Sequence, residues 1–351
     1  IQALAREMDW AAPDLRPRTV FFGGGTPSLL AMSQWRTLLQ TMERLGLLGA
    51  AEWTIECNPA TVSRDKARLW LDYGVNRVSM GVQSFDAGML ERLGRIHTRQ
   101  QAVESFDLLR SSGFQNINLD LMFAIPGQTL DHWRATLHEV MALGGEHLSC
   151  YEIIYEEDTP LFAQLQAGRC GGDEDLACAM YEELLEQTAA HGFTQYEIAN
   201  FARRSPADAG SNTEGIPALA CHHNVNYWRG GAYFGLGPSA SGYVGGIRCK
   251  NWSNTRRYCE AWESGRRALE YEEQLPPLGR AGEIAAFGLR MNTGWAFEEF
   301  KGVTGFDLRE DWREDIETLA VRGWARATEQ RFQLTSQGLR FADAAAEMFL
   351  R

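Results

Sequence analysis

Short apolar segments alternate with longer segments of helical periodicity over roughly the first 200 residues. The apolar segments predict β-strands, and they read RTVFFGGG, EWTIEC, NRVSMGVQ, NINLDLMF, HLSCYEIIY and TQYEIANF. Between them the pattern predicts helices at 33–45, 63–71, 86–93, 98–112, 129–143 and 173–191. Thr61 or Ser63 is expected to cap the second helix, and Thr98 with Gln101 has the sequence of a capping box. Strand and helix in this alternation predict parallel βαβ units.

The number of strands narrows the fold class. Six strands are visible before residue 200, whereas a closed eight-stranded βα barrel needs about 250 residues. We therefore predict an α/β fold in the form of a partial (β/α)6 TIM-like barrel. A doubly wound open sheet is the alternative.

The pattern changes after residue 202. Residues 203–218 are polar and predict a loop, and the segment that follows is rich in glycine and aromatic residues. Further on, helices, a hairpin turning at Glu329–Gln330 and a last helix at 336–349 resemble a winged-helix module. We predict a barrel domain, a connecting region and a mainly helical, winged-helix-like C-terminal domain, at 1–202, 203–275 and 276–351.

Composition excludes some classes of protein. The net charge of −12 argues against nucleic-acid binding, which depends on clustered Lys and Arg. No apolar stretch approaches the ~18 residues of a membrane span. The seven cysteines are scattered and include no C-x-x-C pair, which favours reduced thiols and a cytoplasmic location.

Polar or glycine-rich positions close four of the predicted strands. They are the turn Gly23-Gly24-Gly25-Thr26-Pro27, Glu56, Gln83 and Asp120. The carboxyl ends of strands form the ligand-binding rim in βα architectures, so these positions predict one small polar ligand. Taken singly, three of them have a structural alternative: a tight turn for the glycines, a rim salt bridge for Glu56 and a satisfied rim amide for Gln83.

The chemistry of each side chain suits such a ligand. Glycines allow close approach of the backbone, and Glu56 can accept hydrogen bonds from both hydroxyls of a ribose. The amide of Gln83 can donate to and accept from the same sugar. Arg95 follows a short predicted helix and is either a partner for a ligand carboxylate or a solvated surface charge. Asp120 interrupts an apolar strand, where aspartate is rare unless it is paired.

A second cluster of candidate residues is the segment CHHNVNYW at 221–228. Histidine and cysteine are axial ligands of haem iron, and aromatic rings can stack on a flat macrocycle. The alternative is structural: His223 hydrogen-bonds to its neighbours, and Tyr227 and Trp228 belong to the core.

Together these motifs resemble the radical S-adenosylmethionine (SAM) proteins of the oxygen-independent coproporphyrinogen III oxidase type, over nearly the whole chain. The resemblance implies that the GGGTP turn, with Gly23, Gly24, Gly25 and Thr26, holds the methionine part of SAM. It further implies that the ribose is bound by Glu56, Gln83 and Asp120, the cofactor's carboxylate by Arg95 in RLGRIH, and the adenine by Ile154 after LSCYEI.

Within this family the sequence is most similar to the haem chaperone branch (HemW). The segments ECNP and LGRIH are typical of that branch. The segment HNVNYW matches its H-N-x-x-Y-W motif at His223, Asn224, Tyr227 and Trp228. The resemblance implies a protein that binds SAM and haem and passes haem to an acceptor protein. The alternatives are an oxidase that decarboxylates coproporphyrinogen III and a cluster-free binding or scaffold protein.

The family also carries C-x-x-x-C-x-x-C, whose three thiolates bind a 4Fe–4S cluster. That spacing does not occur in the 351 residues, and the chain begins with Ile1 in a segment that resembles a helix already under way. We therefore expect the cluster cysteines and the first strand of the barrel to lie upstream of Ile1, and no metal ligands within the chain itself.

Overall fold

The strands form one large sheet and two small ones in the computed structural model, which describes residues 1–157, 159–169, 171–208 and 215–351. The strands are β1 Thr19–Phe22, β2 Glu52–Cys57, β3 Arg77–Gln83, β4 Ile117–Phe123, β5 His147–Glu152, β6 Phe193–Glu197, β7 Asn200–Arg203, β8 Ser241–Val244, β9 Ile247–Asn251, β10 Leu269–Glu273, β11 Trp295–Ala296, β12 Ala325–Ala327 and β13 Arg331–Leu334.

Helices follow most of the strands. They are α1 Gln2–Ala11, α2 Met32–Arg44, α3 Arg64–Asp72, α4 Ala87–Arg92, α5 Arg99–Ser112, α6 Leu130–Leu143, α7 Pro160–Gln166, α8 Glu174–Ala190, α9 His222–Trp228, α10 Thr255–Glu263, α11 Pro277–Gly288, α12 Phe297–Thr304, α13 Leu308–Asp311, α14 Arg313–Val321, α15 Ser336–Leu339 and α16 Ala342–Glu347. Among the helices of the described ranges, none combines the length and the apolar character that a bilayer span requires.

The large sheet has the strand order β1-β2-β3-β4-β5-β7-β6. Strands β1 to β5 are parallel and lie side by side in chain order. A doubly wound sheet reverses its strand order at a switch point, and no reversal occurs here through β5. The open sheet therefore agrees with the predicted partial barrel and not with the doubly wound alternative.

The segment TQYEIANF, predicted as a single sixth strand, is instead a hairpin. It divides into β6 and β7, and β7 pairs antiparallel with both β5 and β6. Glu197 fixes the turn, because its Oε1 accepts hydrogen bonds from the Ala199 N–H at 3.0 Å and from the side-chain amide of Asn200.

Helix boundaries follow the predicted caps. In the capping box of α5, the Gln101 N–H donates to Thr98 Oγ1 at 3.3 Å and the Thr98 N–H donates to Gln101 Oε1 at 2.9 Å. Ser63 caps α3 by accepting from the Lys66 N–H at 3.2 Å. Thr61 does not cap it and instead contacts Ser28.

The chain forms two compact units. The sheet unit comprises Thr19–Leu30 and Ala51–Ala220, and the C-terminal unit comprises Ile1–Arg18, Ala31–Ala50 and Cys221–Arg351. Each unit combines separate stretches of sequence, whereas the three predicted domains are continuous.

The C-terminal unit contains more regular structure than the sequence predicts. The region 203–275, predicted as a connection, includes the antiparallel sheet β10-β9-β8 and helix α10. Part of the loop predicted at 203–218, namely 209–214, lies outside the described residues. The predicted hairpin is present as β12 and β13, and the last predicted helix is divided into α15 and α16.

A buried carboxyl group ties α1 to the rest of the C-terminal unit. Glu7 accepts hydrogen bonds from the Gly237 N–H at 2.7 Å, from Asn251 Nδ2 at 2.6 Å and from the Tyr258 hydroxyl. Burial raises the pKa of Glu7, while these three hydrogen bonds oppose the rise.

Replacement of this carboxyl group should destabilise the protein. We expect Glu7→Leu to lower the free energy of unfolding by about 2–4 kcal/mol, because it leaves buried donors without an acceptor. Glu7→Gln should cost less, since its carbonyl oxygen still accepts. Urea unfolding followed by circular dichroism measures both. The matched control is Glu43→Gln, at an exposed position of α2.

The same variants test the pH dependence. A carboxyl group with a raised folded-state pKa stabilises the fold fully below its unfolded-state pKa, and this contribution is lost as the pH rises through the folded-state pKa. Wild-type stability should therefore contain a component that declines above the ordinary glutamate range, and Glu7→Gln should remove it. An identical pH profile in both proteins would contradict this role for Glu7.

Candidate functional site

One face of the large sheet carries polar side chains in rows that cross neighbouring strands. Register pairs place Glu56, Ser79, Asn118 and His147 in one row. The next row toward the carboxyl ends contains Gly81, Asp120 and Ser149. Register partners project to the same face and successive residues alternate, so the two rows lie on one side of the sheet.

The glycine turn at the end of β1 has a backbone that favours glycine. Gly24, Gly25 and Thr26 have φ values of 71°, 58° and 59°. A Cβ atom on Gly23 would lie 2.6 Å from a ring carbon of Phe21 and 3.1 Å from Cδ of Glu56. The turn and Glu56 are joined directly, because the Gly24 N–H donates to Glu56 Oε2 at 3.1 Å.

Asn58 holds the far side of the same turn. Its Nδ2 donates to Thr26 Oγ1 at 3.1 Å, and its backbone N–H donates to Ser28 Oγ at 3.2 Å. Lys66 Nζ donates to the carbonyl oxygens of Ser28 at 2.6 Å and Thr61 at 3.1 Å. The sequence analysis did not select Asn58, although its place directly after β2, in ECNP, was a signal.

Gln83 is a buried amide at the end of β3 with a positive φ of 65°. A Cβ atom on Gly81 would lie 3.0 Å from Gln83 Nε2 and 3.4 Å from Asn58 Oδ1. The absence of a side chain at Gly81 thus leaves space in which the amides of Gln83 and Asn58 approach the same point.

Asp120 lies half-buried in β4 and receives two donors from the polar face. Asn118 Nδ2 donates to Asp120 Oδ1 at 2.7 Å, and Ser79 Oγ donates to Oδ2 at 3.2 Å. Burial raises the pKa of Asp120, against the lowering effect of Asn118, Arg77, Ser149 and Ser79.

Glu56 belongs to the same electrostatic group. Burial raises the pKa of Glu56, the Gly24 N–H opposes the rise and the negative charge of Asp120 adds to it. The structure therefore brings together the glycine turn, Glu56, Gln83 and Asp120.

Arg95 and Ile154 are not part of that hydrogen-bonded group. Arg95 is exposed on the loop after α4, and within the described ranges no hydrogen bond or ion pair joins its guanidinium to the group. Ile154 follows β5 and is 74% exposed. Their predicted contacts with a cofactor stay predictions.

The second set of candidates lies on α9 in the C-terminal unit. His223 Nε2 and the Tyr227 hydroxyl are hydrogen-bonded at 2.8 Å, with ring centroids 4.8 Å apart. Tyr227 packs edge-on against Tyr233 at 4.5 Å, and burial raises the pKa of Tyr227 to about 12. These contacts match the structural alternative for His223, and they also place its imidazole at a half-buried position.

The other two candidates on α9 are also half-buried. Trp228 packs against Phe287 with centroids 6.3 Å apart, and the guanidinium of Arg290 lies 4.7 Å from the Trp228 ring centroid. Asn224 lies on the same helix between His223 and Tyr227. Whether these residues contact haem stays a prediction.

The His, Cys, Asp and Glu side chains are the groups of this chain that could bind a metal ion. In the part of the chain that the structure describes, no cluster of three His, Cys, Asp or Glu side chains has the geometry to hold a metal ion. Burial raises the pKa of the Cys57 and Cys150 thiols, which disfavours the thiolate form that binds iron. Cys170 lies outside the described residues.

Sequence reasoning missed the polar residues behind the strand ends. Asn118 hydrogen-bonds to His147, and His147 hydrogen-bonds to Tyr196. The available signal was polar residues at alternate positions of apolar strands, in NINLD and HLSC.

Comparison with known proteins identifies the family and the fold of the chain. The Radical SAM superfamily model matches residues 1–140, and the HemN C-terminal domain model matches residues 275–341. The solved structure of coproporphyrinogen III oxidase (HemN) from Escherichia coli superposes with a TM-score of 0.81 and 20% identity, covering 99% of this chain and 82% of that one. This likeness shows the fold.

Three curated relatives share more of the sequence. The Heme chaperone HemW of Lactococcus lactis is 32% identical over 95% of this chain and 84% of its own length. The protein of the same name from Bacillus subtilis is 33% identical over 93% and 83%, and that from Escherichia coli is 34% identical over 95% and 84%. With this identity over nearly its whole length, the chain belongs to the HemW family of radical SAM proteins.

Proposed function

We propose that this protein is a haem chaperone of the radical SAM type, which binds SAM and haem and delivers haem to acceptor proteins. The observation that carries the SAM part is the hydrogen bond between the Gly24 N–H and Glu56, which joins the glycine turn to a carboxylate at the carboxyl ends of β1 and β2. The haem part is supported by the relatives named as heme chaperones and by the HNVNYW helix. A cytoplasmic location, expected from the cysteines, belongs to the same proposal.

The residues of the sheet unit fit SAM in the chemistry of their donors and acceptors. Added Cβ atoms at Gly23 and Gly81 would fill the space beside Glu56 and Gln83. Glu56, Gln83 and Asp120 would hold the ribose hydroxyls, and backbone groups of the turn would hold the methionine part. The exposed Arg95 and Ile154 would contact the carboxylate and the adenine. SAM supplies this family with radical chemistry when it is bound to a reduced iron–sulfur cluster.

The iron–sulfur cluster has no candidate ligands among the described residues. The 351 residues contain no C-x-x-x-C-x-x-C spacing, and the described part of the chain offers no three-ligand metal group. The proposed SAM site therefore consists of side chains and backbone groups of the sheet unit alone.

Haem is the proposed cargo, and His223 is its proposed axial ligand. An imidazole can bind iron through either ring nitrogen. In this structure Nε2 is hydrogen-bonded to Tyr227, so ligation through Nε2 would require that bond to break.

The SAM site can be tested by removing one charge at a time. We expect Glu56→Gln and Asp120→Asn each to weaken SAM binding by about 1–3 kcal/mol, because each replaces a carboxylate acceptor with a weaker neutral one. Isothermal titration calorimetry on the full-length protein, under anaerobic conditions, measures this. Glu91→Gln on the exposed surface of α4 is the matched control. Equal affinities in all four proteins would contradict the assignment.

Haem binding can be tested at α9. We expect haem titration of the wild type to shift the Soret band. His223→Ala should weaken the haem affinity taken from that titration by at least tenfold, the equivalent of about 1.4 kcal/mol, because an axial ligand is lost. The exposed neighbour His222 gives the control His222→Ala. An unchanged spectrum for His223→Ala would remove the haem assignment.

The full-length wild-type protein should also be assayed with coproporphyrinogen III under anaerobic conditions. Formation of protoporphyrinogen would favour the alternative that the protein is an oxidase. A protein that binds neither haem nor SAM would favour the scaffold alternative.

A further inference from the structure

Four side chains form a continuous chain of hydrogen bonds that ends on Asp120. The Tyr196 hydroxyl is 2.8 Å from His147 Nε2, and His147 Nδ1 is 2.6 Å from Asn118 Oδ1. Asn118 Nδ2 then donates to Asp120 Oδ1 at 2.7 Å. All four residues belong to the sheet unit, on β6, β5 and β4.

The direction of each hydrogen bond follows from the carboxylate at the end of the chain. Asn118 must present its amide N–H groups to Asp120, because its carbonyl oxygen would repel the negative charge. Its Oδ1 is then an acceptor, so His147 must donate from Nδ1. Burial lowers the pKa of His147 well below its ordinary value, and a neutral imidazole has one N–H. Nε2 is therefore the acceptor of the Tyr196 O–H.

Asn118 orients both oxygens of the carboxylate. One N–H donates directly to Asp120 Oδ1, and the other donates to Ser79 Oγ at 2.7 Å. Ser79 Oγ in turn donates to Asp120 Oδ2 at 3.2 Å. A carboxylate has about four acceptor positions, so Asp120 can accept a ligand hydroxyl in addition to the donors Asn118, Ser79 and Ser149.

We propose that His147 and Asn118 are positioning residues, which hold the Asp120 carboxylate in the orientation that receives the ribose hydroxyls of SAM, with Tyr196 fixing the tautomer of His147. This inference rests on the proposed SAM site. It extends that site from the strand ends into the polar face of the sheet, where His147 and Asn118 are buried and do not touch the ligand.

Packing alone does not explain why hydrogen-bonded polar side chains occupy this buried part of the sheet. Burying an imidazole, an amide and a phenol hydroxyl costs free energy unless every donor and acceptor is matched, and apolar side chains of similar volume would avoid that cost. Here each hydrogen bond also polarises the next one toward Asp120, which strengthens the orientation of the carboxylate.

The test separates positioning from stability by using two ligands. The full-length protein is titrated under anaerobic conditions with SAM and with the SAM analogue whose ribose lacks both hydroxyls. We expect Asn118→Leu and His147→Leu to weaken SAM binding about tenfold while leaving the affinity for the dideoxy analogue within about twofold, since the lost orientation concerns the hydroxyls alone.

Conservative variants provide the rescue and the control. His147→Asn retains an N–H near the position of Nδ1 but loses the contact with Tyr196. Its SAM affinity should therefore fall by only about two- to threefold, and not tenfold as in His147→Leu. Tyr196→Phe removes the last hydroxyl and should lower SAM affinity by about two- to threefold, again without effect on the analogue. The matched control is Tyr181→Phe. The hydroxyl of Tyr181 accepts from Gln195 Nε2 at 2.8 Å and takes no part in the hydrogen bonds that lead to Asp120.

The outcomes distinguish the two proposals. If Asp120→Asn binds SAM as the wild type does, the proposed SAM site fails. Suppose that Asp120→Asn weakens SAM binding. If the Asn118 and His147 variants then leave SAM affinity unchanged, or lower the affinities for SAM and for the analogue equally, only the positioning role is overturned. Should the leucine variants fail to fold, the comparison of Tyr196→Phe with Tyr181→Phe decides in the same way.

Discussion

The parallel register of β2, β3, β4 and β5 determines which polar side chains can meet in this protein. It sets Glu56, Ser79, Asn118 and His147 level with one another, and it places Asp120 one row closer to the carboxyl ends. A slip of one residue would turn these side chains toward the opposite face, among the buried apolar residues of the same strands. The hydrogen bond between Gly24 and Glu56, the amides beside Gly81 and the donors of Asp120 all depend on that alignment.

Two carboxyl groups, at Glu7 and Asp120, show how similar surroundings serve different ends. Glu7 and Asp120 both have raised pKa values because of burial, and each accepts hydrogen bonds from several protein donors. Glu7 is buried in the C-terminal unit, where Gly237, Asn251 and Tyr258 bond to its two oxygens. Asp120 is half-buried, and its donors Asn118 and Ser79 lie on the row behind it. The first arrangement joins elements of the fold, whereas the second concerns the carboxylate that we propose receives the ribose hydroxyls of SAM.

Local features of this structure could be predicted from the sequence, and contacts between distant residues could not. The caps at Thr98 and Ser63 and the polar ends of the strands depend on neighbouring residues, so their patterns are legible along the chain. The pairing of Asn118 with His147 joins residues that only the sheet register brings together. The hairpin of β6 and β7 was missed because its turn, at 198–199, has no glycine, proline or asparagine to signal it.

The contact between His223 and Tyr227 suits a protein that must release its cargo. After haem leaves, an axial-ligand nitrogen in a half-buried position needs another hydrogen-bond partner. Without one, the free-energy cost of the unsatisfied nitrogen would favour retention of haem. In this structure the Tyr227 hydroxyl bonds to His223 Nε2 at 2.8 Å. Since the pKa of Tyr227 is raised to about 12, its hydroxyl stays protonated at neutral pH. If His223 is the axial ligand, as we propose, this hydrogen bond would replace the iron–nitrogen bond on release of haem and would make haem binding less favourable than ligation alone would.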